Sequence, residues 1–390
     1  MGKGISQFIS MLLIFSISIT TISLALSIFK PTIERAYESN SIQEAEMNLK
    51  LLNTLIKEVA SEGKGSLRSV VIKVSEGKYQ LFNSTGNFNG AIVYKIQLKQ
   101  SFFPNLFFKK IGDLKYSTGI STVGLVGYWN LNEGNGSIVR DLSGYGNDGF
   151  IFNGSENCAF PPTPNCPEWV EANYVRGLKL DGENDFVRVE DKNFLFNSSF
   201  SVAVVFSYFP KALPENSTML SKSFNHELND TFSLFINSTG NLFARVGNGS
   251  EFYILSSENL LEEKKFYEAI LTFDSQKTQY KLYLNGLEKA RFNAPPSWKP
   301  AEHKGALLFG TWQEQEWFNG TLDEVRIYGR SLSEDEIKES FYAKSNFQIA
   351  LEYEKIVLIG KLSVSKGEHK ICIEKIGEGY GKAFVKVEAC

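Results

Sequence analysis

Histidine is scarce in this chain, and the motifs that mark the commonest hydrolytic sites are missing. The three histidines, His226, His303 and His369, stand apart from one another in the sequence. Neither an H-E-x-x-H nor a G-x-S-x-G motif occurs, so nothing indicates a zinc protease or an α/β-hydrolase. These absences favour a binding or structural protein over an enzyme.

An excess of positive charge is missing too. Lys and Arg total 41 against 44 Asp and Glu, and no basic patch stands out. Nucleic acid is therefore not an expected partner. The length of 390 residues predicts two or three domains. Plentiful Phe, Tyr, Gly and Asn favour many short strands joined by tight turns.

Cysteine occurs only four times, in two local pairs. Cys158 and Cys166 bracket a Pro-rich stretch, and Cys372 and Cys390 lie near the ends of a strand-rich tail. No neighbouring residues offer the spacing of a zinc site. We expect two disulfides formed outside the cytoplasm, with four free thiols as the alternative.

Asn-x-Ser/Thr sequons are more frequent than the composition alone would give, and all follow the N-terminal hydrophobic segment. This excess predicts a glycosylated outer surface. The sequons begin at Asn83, Asn135, Asn153, Asn197, Asn216, Asn229, Asn237, Asn248 and Asn319.

The N-terminal segment Ile5–Phe29 is apolar and carries no charge. As a helix it would be about 37 Å long, enough to span a bilayer. Beyond Pro31, apolar residues recur at three- and four-residue spacing, which predicts an amphipathic continuation ended by Gly63 and Gly65. These apolar positions are Ile42, Ala45, Leu49, Leu52, Leu55, Ile56 and Val59.

This arrangement of Lys3-Gly4, an apolar helix, an amphipathic helix and then strands resembles archaeal type IV pilin-like proteins with class III signal peptides. The resemblance implies that a prepilin peptidase cuts between Gly4 and Ile5. It also implies that the helix sits in the membrane before assembly and then packs against other pilin-like subunits. A plain membrane anchor is the alternative.

From about residue 121 to 344 the chain alternates short β-rich runs with Gly, Asn and Asp turns, which predicts an antiparallel sandwich. The runs GLVGYWNLNEGNGSIVRDLSGYGNDGFI, GLKLDGENDFVRV, FYEAILTFDSQKTQYKLYLNGLEKA and FNGTLDEVRIYGRSLSEDEIKESFY occur in order. They resemble laminin-G-like, concanavalin A-like jelly rolls, a family that implies binding of glycans or protein ligands.

The same resemblance implies a calcium ion in many members, held by hard oxygen ligands. The carboxylates at the matching turns are Asp185 and Asp323, and then Asp181 and Asp141. Alternatively, these residues only form and cap turns.

Three tryptophans, Trp312, Trp317 and Trp298, are candidates for stacking on sugar rings, with packing at a loop or sheet edge as the alternative. Some jelly rolls hydrolyse glycans with an E-x-D-x-x-E motif, which is absent here. We therefore expect no catalytic residues.

The segments on either side of the sandwich have too few strands to form separate sheets. We expect a mainly β protein with a long N-terminal helix, in which the jelly roll is inserted into a small pilin-like β-domain. The helix would cover residues 1–62, the split domain 63–120 plus 345–390 in one sheet of about six strands, and the jelly roll 121–344. The alternative is a linear order with an unpaired C-terminal hairpin.

These features predict a cell-surface, pilin-like subunit, minor or at the tip, that displays a lectin-like domain for adhesion. It would be membrane-anchored or part of an extracellular filament. One alternative is a membrane-anchored receptor module that forms no filament, and a further one is a glycan-degrading enzyme.

Overall fold

The computed structural model describes residues 37–390 apart from 86–87, 99–107, 119, 159–164, 173–175, 192–193, 195, 197, 210–215 and 343–345. The predicted membrane helix Ile5–Phe29, the processing site at Gly4 and Ile5, and the sequon at Asn197 lie outside these residues. Within the described ranges, no helix combines the length and the apolarity needed to cross a bilayer.

Helix α1 covers residues 37–61, helix α2 covers Glu334–Tyr342, and a 3₁₀ turn covers Glu227–Asn229. Five strands precede the sandwich: β1 Leu67–Val74, β2 Lys78–Phe82, β3 Ala91–Gln97, β4 Phe108–Ile111 and β5 Leu114–Thr118. Five follow it: β23 Asn346–Glu352, β24 Ile356–Lys361, β25 Ser363–Val364, β26 Gly367–Gly379 and β27 Lys382–Ala389.

The sandwich strands begin with β6 Leu125–Trp129, β7 Ile138–Val139, β8 Gly149–Asn153, β9 Glu156–Asn157, β10 Glu168–Glu171, β11 Arg176–Asp181, β12 Asp185–Val189, β13 Phe200–Tyr208 and β14 Ser217–Lys222. They continue with β15 Phe232–Ile236, β16 Asn241–Gly247, β17 Phe252–Leu260, β18 Tyr267–Asp274, β19 Gln279–Leu284, β20 Leu287–Asn293, β21 Leu307–Phe309 and β22 Asn319–Tyr328.

The strands on the two sides of the sandwich pair with each other. Strand β1 pairs with β26, β2 with β25, and β3 with β23, all antiparallel. The strand orders are β1-β26-β27-β24 in one sheet and β25-β2-β3-β23-β5-β4 in the other. We call helix α1 and these two sheets the flanking unit, residues 37–118 and 346–390.

The flanking unit therefore has two sheets among its described residues, where the sequence suggests one sheet of about six strands. The difference has two sources. The stretch around Gly112 and Asp113, which the sequence predicts to be a crossing strand or a linker, forms the β4–β5 hairpin. The tail also divides into more strands, with Gly360 at a φ of 133° against the backbone of Val387.

Helix α1 packs on these sheets with the apolar face that its spacing predicts. Its buried side chains join a core with residues of β1, β2, β3, β23 and β26, while Ile42 and Leu55 pack at the edge of that core. The fully buried positions are Ala45, Leu49, Leu52, Ile56 and Val59. Burial of this stripe fixes the helix, because an isolated helix gains little stability in water.

The two larger sheets face each other across one apolar core, as the sequence predicts for a sandwich. The eight-stranded sheet runs β10-β11-β22-β13-β18-β19-β20, with β6 beside β22. The nine-stranded sheet runs β17-β16-β15-β14-β21-β12-β8-β7, with β9 beside β8. Side chains from both sheets, such as Val202 and Leu234, share the core.

The outer side of the eight-stranded sheet is covered. Ile337 of α2 and Leu332 before it pack with Ala203, Ile270 and Tyr283 of that sheet. The flanking unit lies nearby, since Arg330 stacks its guanidinium 5.4 Å from the ring centre of Phe82. The outer side of the nine-stranded sheet is thus the broad sandwich surface left for a ligand.

Both predicted disulfides are present. Cys158 is bonded to Cys166 and Cys372 to Cys390. The first closes a loop beside β9, and the second links β26 to the end of the chain. Bonds of this kind persist in oxidising surroundings, which supports an extracellular location.

Candidate functional site

A band of aromatic side chains crosses the outer side of the nine-stranded sheet. In β15, Leu234 and Ile236 belong to the sandwich core, so Phe235 between them points outward. The same alternation turns Phe243 outward from β16 and Phe186 outward from β12. We call this surface the aromatic face; its rings are Phe150, Phe152, Phe186, Phe235, Phe243, Trp312 and Trp317.

The rings of this face touch one another in two groups. Phe186 stacks on Phe152 at 5.2 Å and meets Trp317 at 5.9 Å between ring centres. Phe235 stacks on Phe243 at 5.4 Å. Phe150 lies beside the first group with 39% of its surface exposed. Phe186 and Phe235 are themselves buried, at 2% and 3% exposed, and support the other rings. The partly exposed rings of the face offer flat apolar surface that can stack on sugar rings.

Residues 310–318, which we call the covering loop, fold back over the middle of the face. The backbone amide of Trp312 donates to the carbonyl of Gln315 at 3.0 Å, and the reverse bond is 2.8 Å long. Gln313 and Glu314 at the tip have φ values of 51° and 60°, and Glu316 has 48°. Three non-glycine residues in the left-handed region mark this loop as strained, a feature that concentrates at functional sites.

A charge cluster joins Glu316 of the covering loop to Asp230 and Arg245, which are buried beneath the loop. Arg245 donates to Asp230 at 3.3 Å and to Glu316 at 3.4 Å. Its guanidinium lies between two rings, 5.1 Å from the centre of Phe235 and 5.0 Å from that of Trp312. Trp312 donates its indole Nε1–H to Asp230 at 2.8 Å. The cluster therefore fixes the loop and its tryptophan.

Glu316 is held from the other side by β14 and the residue before it. Thr218 donates its hydroxyl to Oε2 of Glu316 at 2.9 Å, and Asn216 donates its Nδ2 to Oε1 at 3.0 Å. Burial raises the pKa of Asp230 to about 6, against the lowering effect of its hydrogen bonds and of Arg245. The cluster thus joins one cation to two acids under the aromatic face.

Two buried polar atoms in this cluster have no hydrogen-bond partner in the described part of the chain. They are Nε of Arg245 and Oγ of Ser233. The two residues are register partners on β16 and β15, so these atoms lie on the same side of the sheet. Buried polar atoms usually have a partner, so an enclosed water would suit this position.

The three predicted tryptophans lie in different surroundings. Trp298 is 4% exposed, belongs to the sandwich core and donates its Nε1–H to the Tyr280 hydroxyl at 3.2 Å. It is therefore not placed for a surface ligand. Trp312 and Trp317 are half-buried on the aromatic face. Their role in binding stays a prediction.

The predicted metal residues Asp181 and Asp185 lie together in the turn 181–185, which crosses from the eight-stranded to the nine-stranded sheet. Oδ2 of Asp185 accepts from the backbone amide of Asp181 at 3.1 Å. Oδ1 of Asp185 and Oδ1 of Asn184 are buried and have no partner in the described ranges. Burial and the Asp181 carboxylate raise the pKa of Asp185 to about 7.

The other two predicted ligands are elsewhere. Asp323 lies on β22, four residues beyond Asn319, the register partner of Asp181. Asp141 accepts hydrogen bonds from the backbone amides of Tyr128, Ser143 and Asn147. In the parts of the chain that the structure describes, no group of three or more His, Cys, Asp or Glu could hold a metal ion. The oxygen-rich turn 181–185 fits calcium best, through Asp181, Asn184 and Asp185.

Sequence reasoning missed Asp230, Arg245 and Glu316. Asp230 is hidden inside the sequon at Asn229, and Glu316 is one of two glutamates between Trp312 and Trp317. A signal was present at Arg245, where LFARVG puts a charge at an outward strand position two residues from Phe243. An outward strand position is normally exposed in a sandwich, so the sequence did not indicate that the covering loop would bury Arg245.

Comparison with known families identifies the sandwich. Residues 181–338 match the family model Laminin_G_3, described as the concanavalin A-like lectin/glucanases superfamily. These residues include the turn 181–185, the charge cluster and the covering loop. They form a concanavalin A-like, laminin G-like domain, as the sequence motifs predict.

Solved structures with a similar fold include domain 4 of AbnA, a GH43 extracellular arabinanase from Geobacillus stearothermophilus, in complex with arabinotriose. It is 16% identical with a TM-score of 0.44, over 56% of this chain and 98% of that chain. The binding domain of Paraclostridial mosquitocidal protein 1 is 16% identical with a TM-score of 0.44, over 56% of this chain and 52% of that chain. Trypanosoma rangeli sialidase is 17% identical with a TM-score of 0.42, over 57% of this chain and 33% of that chain. No curated protein matches the sequence.

The charge cluster predicts a non-additive pair of substitutions. Arg245→Met should lower the free energy of unfolding by about 3–5 kcal/mol, because it leaves buried carboxylates without their cation. Asp230→Asn added to Arg245→Met should recover part of this loss, since the amide still accepts from Trp312 and carries no charge. Urea unfolding of both single variants and the double variant measures the coupling. Strictly additive losses would show that the two residues are not coupled.

Proposed function

We propose that the chain is a cell-surface, pilin-like subunit, minor or at the tip, whose sandwich binds glycans through the aromatic face. The observation that carries the glycan part is the aromatic face itself, supported by the match of residues 181–338 to the concanavalin A-like lectin/glucanases superfamily. Rings that project from a rigid sheet lose little entropy on stacking against a sugar.

The ligand we expect is neutral or carries few charges. The acids of the charge cluster are already bonded to Arg245, and Arg188 at the other end of the face pairs with Glu190 at 2.6 Å. Among the described residues, both arginines of this face are therefore already paired, and neither is free to bind an anionic sugar. A neutral oligosaccharide presents hydroxyls that can donate to and accept from such paired groups.

The assembly part of the proposal rests on the N-terminal sequence and on the way helix α1 packs. The predicted membrane segment leads into this helix, whose apolar stripe is buried in the flanking unit. The flanking unit would thus connect an assembling helix to the displayed sandwich. The alternative, a membrane-anchored receptor module without a filament, keeps the same sandwich and the same ligand face.

Glycan hydrolysis is the further alternative, and it requires two carboxylates placed across the scissile bond. Asp230 and Glu316 are the acids packed among the rings of the aromatic face, and both bind Arg245. A carboxylate tied to a cation and buried under a loop is poorly placed to act on substrate. We therefore propose binding without cleavage.

We also propose that calcium binds at the turn 181–185. The buried Oδ1 atoms of Asp185 and Asn184 and the Asp181 carboxylate supply hard oxygens. An ion there would brace the crossing between the two sheets. It would also offset the cost of ionising a buried acid.

Trp317→Ala should weaken glycan binding at least tenfold, because loss of a central aromatic contact costs about 2 kcal/mol or more. The binding measurement is titration calorimetry with a neutral oligosaccharide selected on a glycan array. Tyr380→Ala is the matched control, since Tyr380 is fully exposed on the flanking unit. Equal affinity in the native chain and in both variants would show that the ligand does not bind at the aromatic face.

The pilin-like part predicts a mature N-terminus at Ile5 in protein purified from its native membrane or filament. Mass spectrometry of the intact chain and of its N-terminal peptide measures this. A replacement of Gly4 by a bulky residue should leave the N-terminus unprocessed. An N-terminus at Met1 or Gly2 in the native protein would favour the receptor alternative.

Calcium should raise the melting temperature more at pH 8 than at pH 5.5. The folded pKa of Asp185 is raised to about 7, so without metal the stability it contributes is present at low pH and lost as pH rises toward 7. Calcium needs the ionised carboxylate, and at 100 times its Kd it would add about 2.7 kcal/mol. Asp185→Asn should be more stable than the native chain at pH 8 without calcium, and should not respond to calcium. An equal response in both proteins would place the ion elsewhere.

A further inference from the structure

A cleft of about 570 Å³ separates the flanking unit from the sandwich. Phe82, Asn83, Thr85 and Phe88 line one wall, and residues of β18, β19 and the segment before α2 line the other. This volume lies within the range of about 300–1,000 Å³ that ligand pockets occupy. The cleft is on the covered side of the sandwich, away from the aromatic face.

The charged groups that line the cleft are paired within the described part of the chain, apart from Asp335. Lys281 binds Glu334 at 2.7 Å, and Lys277 binds Asp274 at 3.0 Å. Thr272 and Gln279 add a hydroxyl and an amide to the lining. Charged side chains that are already paired do not need a further ion to neutralise them. They can still donate hydrogen bonds to hydroxyl groups and accept hydrogen bonds from them. The cleft therefore suits a neutral, hydroxyl-rich occupant.

The wall of the cleft also contains a residue to which a sugar could be covalently attached. Asn83 begins the sequon Asn83-Ser84-Thr85 and is exposed. Its Oδ1 accepts from the backbone amide of Gly360 at 2.8 Å, which fixes the orientation of the side-chain amide. Nδ2, the atom that carries an N-linked sugar, is left unbonded with respect to the described residues.

Three other sequon asparagines are less suited. Asn216 donates its Nδ2 to Glu316 at 3.0 Å, and Asn229 donates its Nδ2 to the carbonyl of Phe224 at 3.0 Å. Asn153 donates its Nδ2 to the carbonyl of Asn165. All three are half-buried. A sugar on any of them would have to displace packed neighbours.

We propose that Asn83 carries an N-linked oligosaccharide whose first sugars lie in this cleft and brace the sandwich against the flanking unit. The donor would be an oligosaccharide on a lipid phosphate. The Nδ2–C1 bond forms as the C1–O bond to phosphate breaks, the electron pair leaves with the phosphate, and Nδ2 loses a proton. The inference rests on the proposed function only through the extracytoplasmic location, because glycan binding by the aromatic face can fail independently.

The test uses full-length protein from its native source, with the variants Thr85→Ala and Thr85→Ser made in the same host. Thr85→Ala removes the sequon and keeps Asn83 and its bond to Gly360, whereas Thr85→Ser keeps the sequon. Glycopeptide mass spectrometry reads the occupancy of Asn83. Amine labelling reads access to Lys277, whose side chain is 71% exposed in the bare protein, with Lys265 at 54% as a reference outside the cleft lining.

We expect a glycan on Asn83 in the native and Thr85→Ser proteins and none in Thr85→Ala. Labelling of Lys277 should become several-fold faster in Thr85→Ala, while labelling of Lys265 stays unchanged. Asn83→Gln should repeat the Thr85→Ala result. An unmodified Asn83 would overturn the proposal. So would a glycan whose loss leaves Lys277 labelling unchanged, since the sugar would then point into solvent.

Discussion

Strand β3 precedes the sandwich and strand β23 follows it, and their antiparallel pairing runs from Asn346 opposite Gln97 to Glu352 opposite Ala91. This pairing holds both ends of the inserted sandwich at one place in the flanking unit. A ladder of backbone hydrogen bonds with buried side chains on it, including Ile92 and Leu351, cannot open without exposing the core. The position of the sandwich relative to the flanking unit therefore depends on this pairing.

Contacts across the junction restrict the angle of the sandwich: Lys95 of β3 binds Glu339 of α2 at 2.8 Å, and two buried ion pairs, one on each side, hold groups that reach the junction. Glu352 at the end of β23 binds Lys115 at 2.8 Å and accepts from the backbone amide of Gly124 at 2.9 Å. Arg330 binds Glu336 and donates to the carbonyl of Val123 at 2.8 Å. The guanidinium holds the pKa of Glu336 at about 2, so this pair persists across the physiological pH range. A swing of the sandwich would break the bond from Gly124 to Glu352 and the stacking of Arg330 on Phe82, which makes it costly.

The way in which the sandwich is attached to the flanking unit also determines which of its surfaces is open to a ligand. Helix α2 and the flanking unit cover the outer side of the eight-stranded sheet, so the nine-stranded sheet presents the aromatic face outward. Its charge cluster serves the face indirectly, because Arg245 and Asp230 hold Trp312 and the covering loop in place. A rigid face pays little to order itself when it binds a ligand.

Much of the fold could be predicted, because local patterns determine it. The three- and four-residue spacing around Leu49 and Leu52 gives the buried stripe of α1, and the two local cysteine pairs give the disulfides. The division of the flanking unit into two sheets could not be predicted, because it depends on pairing between strands far apart in sequence. No local signal marks those pairings.

The candidate site was predictable only in part. Trp312 and Trp317 stand out in the sequence, but so does Trp298, and only the fold shows that Trp298 is in the core. Its position depends on packing with Tyr280 and Phe292, which lie on other strands. Arg245 and Glu316 are 71 residues apart, and their contact exists only because the covering loop returns over β16.

The most direct test of the aromatic face is an NMR titration that follows the indole N–H signals of the five tryptophans as a neutral, array-selected oligosaccharide is added. The account predicts that the signals of Trp312 and Trp317 shift in proportion to occupancy. The signals of the buried Trp129 and Trp298 should stay in place. Saturable binding that leaves the Trp312 and Trp317 signals unmoved would contradict the account, because the ligand would then sit on another surface.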